Sequence, residues 1–206
     1  MRRRTLLATV GTTAIPLTGC VDRPADRPTD GDGSSDTTTV RGAFDDTPVR
    51  PECEYESETV TVEEGDETHE YSTAEPVAYP DPPGGFKDDE VIAYAEAFEE
   101  AYTSHDAICD STDHILNMSY STMEDAVEER QDGITTVTLL RVAGASKGVG
   151  DEGPPWATEL VPEAVGYTVD ETGVARVEAE EPVAPDELGN VALEPLRDGE
   201  LVATFE

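Results

Sequence analysis

The sequence predicts an α+β fold, with one main helix packed on an antiparallel sheet of hairpins and a disordered stalk in front of it. Three patterns support this class. Apolar side chains recur at helical spacing over residues 88–104, several later segments alternate apolar and polar residues between turn signals, and residues 21–42 contain almost no apolar side chain. We therefore predict a single α+β domain at residues 44–206, preceded by a flexible linker at residues 20–43.

The first twenty residues resemble an export signal that ends in a lipid attachment site. Three arginines precede a short, mildly apolar run. This run is shorter than the roughly 20 apolar residues that a helix needs to span a bilayer. Arg3-Arg4-Thr5-Leu6-Leu7 resembles a twin-arginine signal, whose route exports folded proteins, and Leu17-Thr18-Gly19-Cys20 resembles a lipobox. The resemblance implies a signal peptide at residues 1–19 and lipidation of Cys20, so that the linker at residues 20–43 is lipid-anchored on the extracytoplasmic face of the cell membrane. An ordinary cleaved signal, with Cys20 removed or left as a thiol, is the alternative.

The chain is strongly acidic, with 13 lysines and arginines against 47 aspartates and glutamates and a formal net charge of −34. Removal of the three leader arginines would leave 10 basic residues and a charge of −37. This composition excludes nucleic-acid partners, because no basic patch is present to release counterions. A negatively charged membrane surface also repels the chain, so the lipid would supply nearly all of the adhesion to the membrane.

Composition alone leaves disorder as an alternative to folding, because Leu, Ile, Val and Phe make up only about a fifth of the residues. The acidic residues are, however, spread evenly along a patterned chain that contains two lysines, Lys87 and Lys147. This pattern resembles haloarchaeal proteins, in which molar salt shortens the Debye length to about 3 Å and screens the repulsion between surface charges.

Two cysteines follow Cys20, and disulfide bonds persist in an exported protein. We predict a bond between Cys53 and Cys109, which would close a loop of about 57 residues. Two separate free thiols are the alternative.

In chain order, the domain begins with a hairpin whose strands are predicted at residues 53–62 and 67–72, joined by a turn at Glu64-Gly65-Asp66. Residues 79–86 are rich in proline and cannot be helical, because proline fixes its own φ and favours extended backbone in the residue before it.

The main helix is predicted at residues 88–104, with Asp88 as its N-cap and acidic residues in its first turn. One apolar stripe follows the helical repeat and consists of Val91, Tyr94, Ala95, Phe98, Ala101 and Tyr102. Glu99, like Glu96 and Glu100, is expected to lie mostly off this stripe.

Residues 105–114 contain His105, Cys109 and His114 together with three aspartates, which are residue types that bind zinc. The spacing matches no standard zinc finger, and Cys109 cannot serve a disulfide and a metal at the same time. We therefore predict a polar loop tied by the disulfide, with no metal and no cofactor.

Two more hairpins and a last strand are predicted after this loop. Residues 115–130 and 134–143 pair around an Asp-Gly turn, and residues 164–170 and 174–178 pair around Glu171-Thr172-Gly173. The final strand is predicted at residues 200–206.

The stretches between these strands are predicted to be irregular. Residues 144–150 are rich in glycine without a phosphate-binding pattern, Pro154-Pro155-Trp156 is expected to break the sheet, and residues 180–199 are expected to form a loop. Asn117-Met118-Ser119 is an N-glycosylation pattern, which is relevant because export is predicted.

One helix followed by antiparallel hairpins resembles the cystatin-like and NTF2-like plan, in which a helix sits in a curved sheet. The leader, the segment Tyr79-Pro80-Asp81-Pro82-Pro83 and the helix ending in Ala101-Tyr102 resemble haloarchaeal surface lipoproteins exported by the twin-arginine route. Enzymes of the NTF2-like plan use acids and histidines that line the cone. Since no His–Asp pair falls on a strand facing the helix here, we predict no catalytic residue.

Two functions remain open on the sequence. The first is a non-enzymatic surface lipoprotein that serves as an envelope or binding module. The second is an enzyme or small-ligand binder with a pocket between helix and sheet, for which the candidates are Tyr94, Tyr102, His105 and His114. A cavity that contains a histidine favours the second function, whereas a tightly packed helix face favours the first.

We predict that folding requires concentrated salt, because unscreened repulsion within so acidic a chain opposes its compact state. Far-ultraviolet circular dichroism should show folded secondary structure in molar KCl and its loss as the salt is diluted. A folded spectrum in dilute buffer would contradict this prediction.

Overall fold

The computed structural model describes residues 39–129, 133–150 and 154–206. The predicted signal peptide, Cys20 and all but the end of the predicted linker lie outside these residues, and so does Asp132 in the first predicted Asp-Gly turn. Within the described part, the predicted fold class is confirmed in its coarse form, because one main helix accompanies a curled antiparallel sheet.

A small hairpin precedes the main helix, and its first strand begins later in the chain and is shorter than predicted. Strand β1 (Thr59–Glu64) pairs with β2 (Glu67–Ser72) to form a separate two-stranded sheet. The turn contains Gly65 at φ 69°, a left-handed conformation that favours glycine because it has no Cβ. Ser57 and Glu58, just before β1, hydrogen-bond to Thr73 just after β2, whereas Cys53 is covalently tied to the main helix.

The main helix α1 (Asp88–Cys109) extends further than predicted. Lys87 is its N-cap, so Asp88 is the first helical residue and not the cap. At the other end Ile108 continues the buried face, and residues 105–109 are therefore helical where a loop was predicted. The predicted apolar stripe does face the sheet, and its buried members are Val91, Tyr94, Ala95, Phe98 and Ala101.

The main sheet is antiparallel and follows the order β3-β4-β6-β7-β8, with β5 paired to β4 beside this path. The strands are β3 (His114–Glu129), β4 (Thr135–Val149), β5 (Trp156–Ala157), β6 (Glu163–Asp170), β7 (Gly173–Glu178) and β8 (Glu200–Thr204). Apart from β5, each strand of the main sheet pairs with the next strand in the sequence. Both predicted hairpins and the predicted last strand are therefore confirmed.

Strand β4 continues through the glycine-rich stretch that was predicted to be a loop. It pairs there with β3 on one side and with β5 on the other. The Trp156 ring lies against Gly148, so closely that a Cβ at this position would overlap the ring. Trp156 Nε1 also donates to Asp113 Oδ2 at 2.9 Å. Trp156 therefore adds a strand to the sheet, where the sequence predicted a break.

Helix α1 covers one face of the sheet. Since strand side chains alternate between faces, every second residue of β4, β6 and β7 points towards the helix. The apolar members of this inner face are Val137, Leu139, Val165, Tyr167, Val169 and Val174.

The opposite face is covered at one end by residues that the sequence assigned to the linker. Val40 is fully buried, and its backbone N–H donates to Asp170 Oδ2 at 2.8 Å. It packs with Ile134, Ala175 and Leu201, and a 3₁₀ turn at Arg41–Ala43 follows. The folded domain therefore includes residues 40–43, because an apolar side chain at Val40 completes the outer layer.

The segment between β7 and β8 covers the other end of this face. It contains a 3₁₀ turn at Pro185–Asn190 and a short helix α2 (Pro195–Asp198), where only loop was predicted. Leu188 in the turn packs on Leu140 and Ala164. Apolar side chains are thus buried on both faces of β4, β6 and β7, in three clusters.

The predicted disulfide bond is confirmed. The Sγ atoms of Cys53 and Cys109 are 2.02 Å apart, and the bond joins the end of α1 to the segment before β1, 56 positions away.

The double variant Cys53→Ser with Cys109→Ser should lose about 4 kcal/mol of unfolding free energy, because the open chain gains the loop-closure entropy of a long loop. Urea unfolding in molar salt measures this loss. Cys20→Ser, which leaves the bond intact, serves as the control and should unfold like the wild type. A double variant within about 0.5 kcal/mol of the wild type would contradict the prediction.

Candidate functional site: a charge network beneath the main helix

The centre of α1 carries a fully buried carboxylate. Glu99 lies four residues after Ala95 and eight after Val91, a spacing that places it on the face of α1 that meets the sheet. Its side chain is 0% exposed. The expectation that Glu99 lies off the buried stripe is therefore wrong.

Two arginines of the sheet and one tyrosine hydrogen-bond this carboxylate. Arg141 Nε donates to Glu99 Oε1 at 2.6 Å, while Arg176 donates from Nε to Oε2 at 2.8 Å and from Nη2 to Oε1 at 2.9 Å. The Tyr167 hydroxyl donates to Oε2. These four donors match the about four lone-pair sites of a carboxylate, so Glu99 is fully satisfied.

Strand register brings these partners to one place beneath α1. Arg141 follows Leu139 by two residues on β4 and therefore shares its inward face. Tyr167 on β6 stands directly opposite Arg176 on β7, and Arg141 stands opposite Glu163 on β6. The network thus crosses three neighbouring strands.

The network reaches solvent through two further carboxylates and an aromatic ring. Glu163 Oε2 accepts a bond from Arg141 Nη1, and Glu178 Oε2 accepts one from Arg176 Nη2 at 2.7 Å. These glutamate side chains are 33% and 39% exposed. The Arg176 guanidinium also lies 4.0 Å from the centre of the Tyr102 ring, a cation–π contact.

The electrostatics keep Glu99, Arg176 and Tyr167 in their ordinary charge states. Burial acts to raise the pKa of Glu99, but the positive charges of Arg176 and Arg141 and their hydrogen bonds hold that pKa below its usual value. Burial likewise acts to lower the pKa of Arg176, yet Glu99 raises it well above normal. Burial raises the pKa of Tyr167, so its hydroxyl stays protonated and remains a donor.

This arrangement joins α1 to the sheet and leaves Glu99 unsuited to acid–base chemistry. Glu99 is enclosed and ionised, and all four of its acceptor positions are occupied, so no lone pair faces a substrate. A general base must reach the proton that it removes. We therefore assign the network a structural role in fixing α1 on the sheet.

The four residues that the sequence offered for a ligand pocket lie in four different environments. Tyr94 is a core residue whose ring meets Phe205 edge-on at 5.8 Å, and Tyr102 lies beneath Arg176. His105 is buried near the disulfide. His114, at the start of β3, has its Nδ1 3.2 Å from a Glu58 carboxylate oxygen.

The predicted glycosylation residue is exposed. Asn117 lies on β3 where the pairing with β4 is irregular, and its Nδ2 donates to Ser146 Oγ at 2.6 Å. Its modification stays a prediction, and an exposed side chain is what modification of a folded protein requires.

Among the hollows on the surface of the described residues, four have volumes of about 330 to 440 Å³. One lies between Lys147 and Trp156, two border residues 179–194, and one lies beside Arg50 and β8. None of these four is lined by a residue of α1.

The sequence contains a pattern from which this network could have been predicted. Arg141 and Arg176 interrupt alternating apolar strands, in a chain with few basic residues. A cation at an inward position needs a buried acid as its partner. Glu99, at helical spacing from Ala95, is the acid that this reasoning points to.

Comparison of the chain with protein-family models, with curated proteins and with solved structures finds no match. Within the residues that the structure describes, no helix combines the length and the apolar character needed to cross a membrane. The functional class of the protein is therefore argued from its own residues.

Glu99→Gln should lower the free energy of unfolding by about 3–5 kcal/mol, because it leaves two buried guanidinium groups without a full counter-charge. Urea unfolding in molar salt measures this loss. Glu100→Gln on the exposed side of the same helix turn is the matched control and should change the free energy by less than about 0.5 kcal/mol. Equal effects of the two substitutions would contradict a structural role for the network.

The stabilisation by Glu99 should also depend on pH. Since folding lowers the pKa of Glu99, its contribution is complete above the usual value of 4.5 and is lost as the pH falls through the lower, folded value. The difference in unfolding free energy between wild type and Glu99→Gln should therefore shrink below about pH 4.5. A difference that stays constant down to about pH 2 would contradict the assignment.

Proposed function

We propose that this protein is a lipid-anchored, extracytoplasmic envelope or binding module of a halophile, without catalytic activity of its own. The observation that carries this proposal is the Leu17-Thr18-Gly19-Cys20 motif behind a twin-arginine-like leader. A diacylated cysteine would hold the protein at the membrane, since two acyl chains anchor stably where one does not.

The disulfide bond supports an extracytoplasmic location. Cys53 and Cys109 are bonded in the fold, and structural disulfides are rare in reducing compartments. The bond has a clear structural use, because it ties the end of α1 to the segment that precedes β1. A protein that keeps this bond is suited to the outer side of the membrane.

The packing between α1 and the sheet supports a role without a ligand cone. The competing function, an NTF2-like enzyme or small-ligand binder, needs a pocket in this place. Phe98 and Glu99 are 0% exposed there, and Tyr94 is 6% exposed. Packed side chains and the charge network occupy the position where such a ligand would bind.

The strand order supports the resemblance to cystatin-like folds. One helix is followed in the chain by antiparallel strands that curl along it in nearly sequential order. We propose this relationship at the level of the fold, and the haloarchaeal lipoprotein character at the level of the leader and the acidic composition.

Cys20→Ser should move the protein from the membrane fraction to the soluble fraction of its native cells, because the mature chain is too acidic to adhere without lipid. Immunoblotting of fractionated cells measures the distribution, and mass spectrometry of the wild-type amino terminus reports the lipid. The matched control is Cys53→Ser with Cys109→Ser, which loses the disulfide and should keep its anchor. A Cys20→Ser protein that stays with the membrane would contradict the proposal.

A further inference from the structure

Three residues of metal-binding type meet at the end of α1. Cys53 Sγ, Cys109 Sγ and a ring nitrogen of His105 all lie within 4.8 Å of one another. His105 and Cys109 are one helical turn apart and so share a face, and Cys53 reaches them from the segment before β1. The cluster therefore joins two parts of the chain that are distant in sequence.

Contacts other than the disulfide hold this arrangement in place. The His105 ring stacks on Tyr79, with ring centres 4.9 Å apart and planes 11° from parallel. The Tyr79 hydroxyl donates to the Pro51 carbonyl at 2.7 Å, two residues before Cys53. Arg50 lies 4.0 Å from the centre of the same tyrosine ring. Cys53 would thus stay near His105 after the disulfide is reduced.

The spacing suits a tetrahedral ion with sulfur and nitrogen ligands. His105 Nδ1 lies 3.8 Å from Cys109 Sγ. Zinc bonds of about 2.3 Å to sulfur and about 2.0 Å to nitrogen place such ligands about 3.5 Å apart. The ring binds such an ion in its neutral form.

We propose that the reduced protein binds a thiophilic divalent ion such as Zn²⁺ through Cys53, Cys109 and His105, so that one place in the fold holds either a disulfide or a metal. A dithiol reductant supplies two electrons and two protons, becoming a disulfide itself, and leaves two thiols. The ion then displaces both thiol protons to the solvent, and water completes the fourth position. The two states exclude each other, because the thiolate is the metal ligand and two sulfurs bonded to each other in a disulfide are no longer thiolates.

Such a site would crosslink α1 to the segment before β1 both before and after export. Before export, thiols persist in the reducing cytosol, and an ion would tie α1 to the segment before β1. After export the disulfide would replace it. This sequence of events rests on the proposed export as a folded protein, whereas metal binding by the reduced chain does not.

The test is a titration of the full-length protein in molar salt, first with Co²⁺ and then with Zn²⁺. One sample is first reduced with a dithiol, which is then removed under anaerobic conditions, and a second sample is left oxidised. Molar salt weakens adventitious binding to the acidic surface. Tetrahedral thiolate–Co²⁺ absorption should appear in the reduced protein, disappear on addition of Zn²⁺ and be absent from the oxidised protein. His105→Asn should weaken Co²⁺ binding at least about tenfold, while His114→Asn, outside the cluster, should leave it unchanged.

Three results would overturn the proposal. They are equal binding by oxidised and reduced protein, unchanged binding by His105→Asn, and the absence of thiolate–Co²⁺ absorption in the reduced protein. Circular dichroism accompanies each titration. If reduction unfolds the chain, Zn²⁺ must restore the folded spectrum, because binding to a native site stabilises the native state. Failure of Zn²⁺ to do so counts against the site. Retention of the Cys20 anchor in native cells is measured separately, so the two proposals fail independently.

Discussion

Neutralisation of one buried carboxylate is the interaction on which the fold depends. Glu99 lies in the interface between helix and sheet, where an uncompensated charge would cost several kcal/mol. Arg141, Tyr167 and Arg176 meet it from β4, β6 and β7. One side chain of α1 is therefore bonded to three neighbouring strands at once. Apolar packing on either side of it adds burial, while the directional bonds define where the helix lies.

The network also explains how this chain distributes its charges. Two of its few arginines are buried with Glu99, and the surface is left mainly to acids. Repulsion between exposed acids is strongly screened by salt, whereas attraction between buried charges is screened much less. Concentrated salt thus relieves the unfavourable part of the electrostatics and largely preserves the favourable part. We expect a small core, extended by apolar side chains on both faces of the sheet, to be sufficient under those conditions.

A second connection between distant parts of the chain lies at the end of α1. There the disulfide and the stacked side chains of Arg50, Tyr79 and His105 hold the segment before β1 against the helix. The two connections have different chemistry and different sensitivities: the charge network responds to acid and the disulfide to reductants. Between them, the inner face of the helix is filled by its own side chains.

Local patterns in the sequence were enough to predict the elements whose side chains repeat with a clear period. The stripe from Val91 to Ala101, the hairpin around Gly173 and the pairing of Cys53 with Cys109 are of this kind, because each follows from neighbouring residues or from cysteine number. The burial of Glu99 was missed, since its partners Arg141 and Arg176 lie 42 and 77 positions away and only strand register brings them under the helix. The place of His105 beside the disulfide depended in the same way on tertiary contacts that extend α1 to Cys109. Periodicity in a sequence reports which way a side chain points, whereas the charge or the metal ligand that it meets there is decided by contacts between distant parts of the chain.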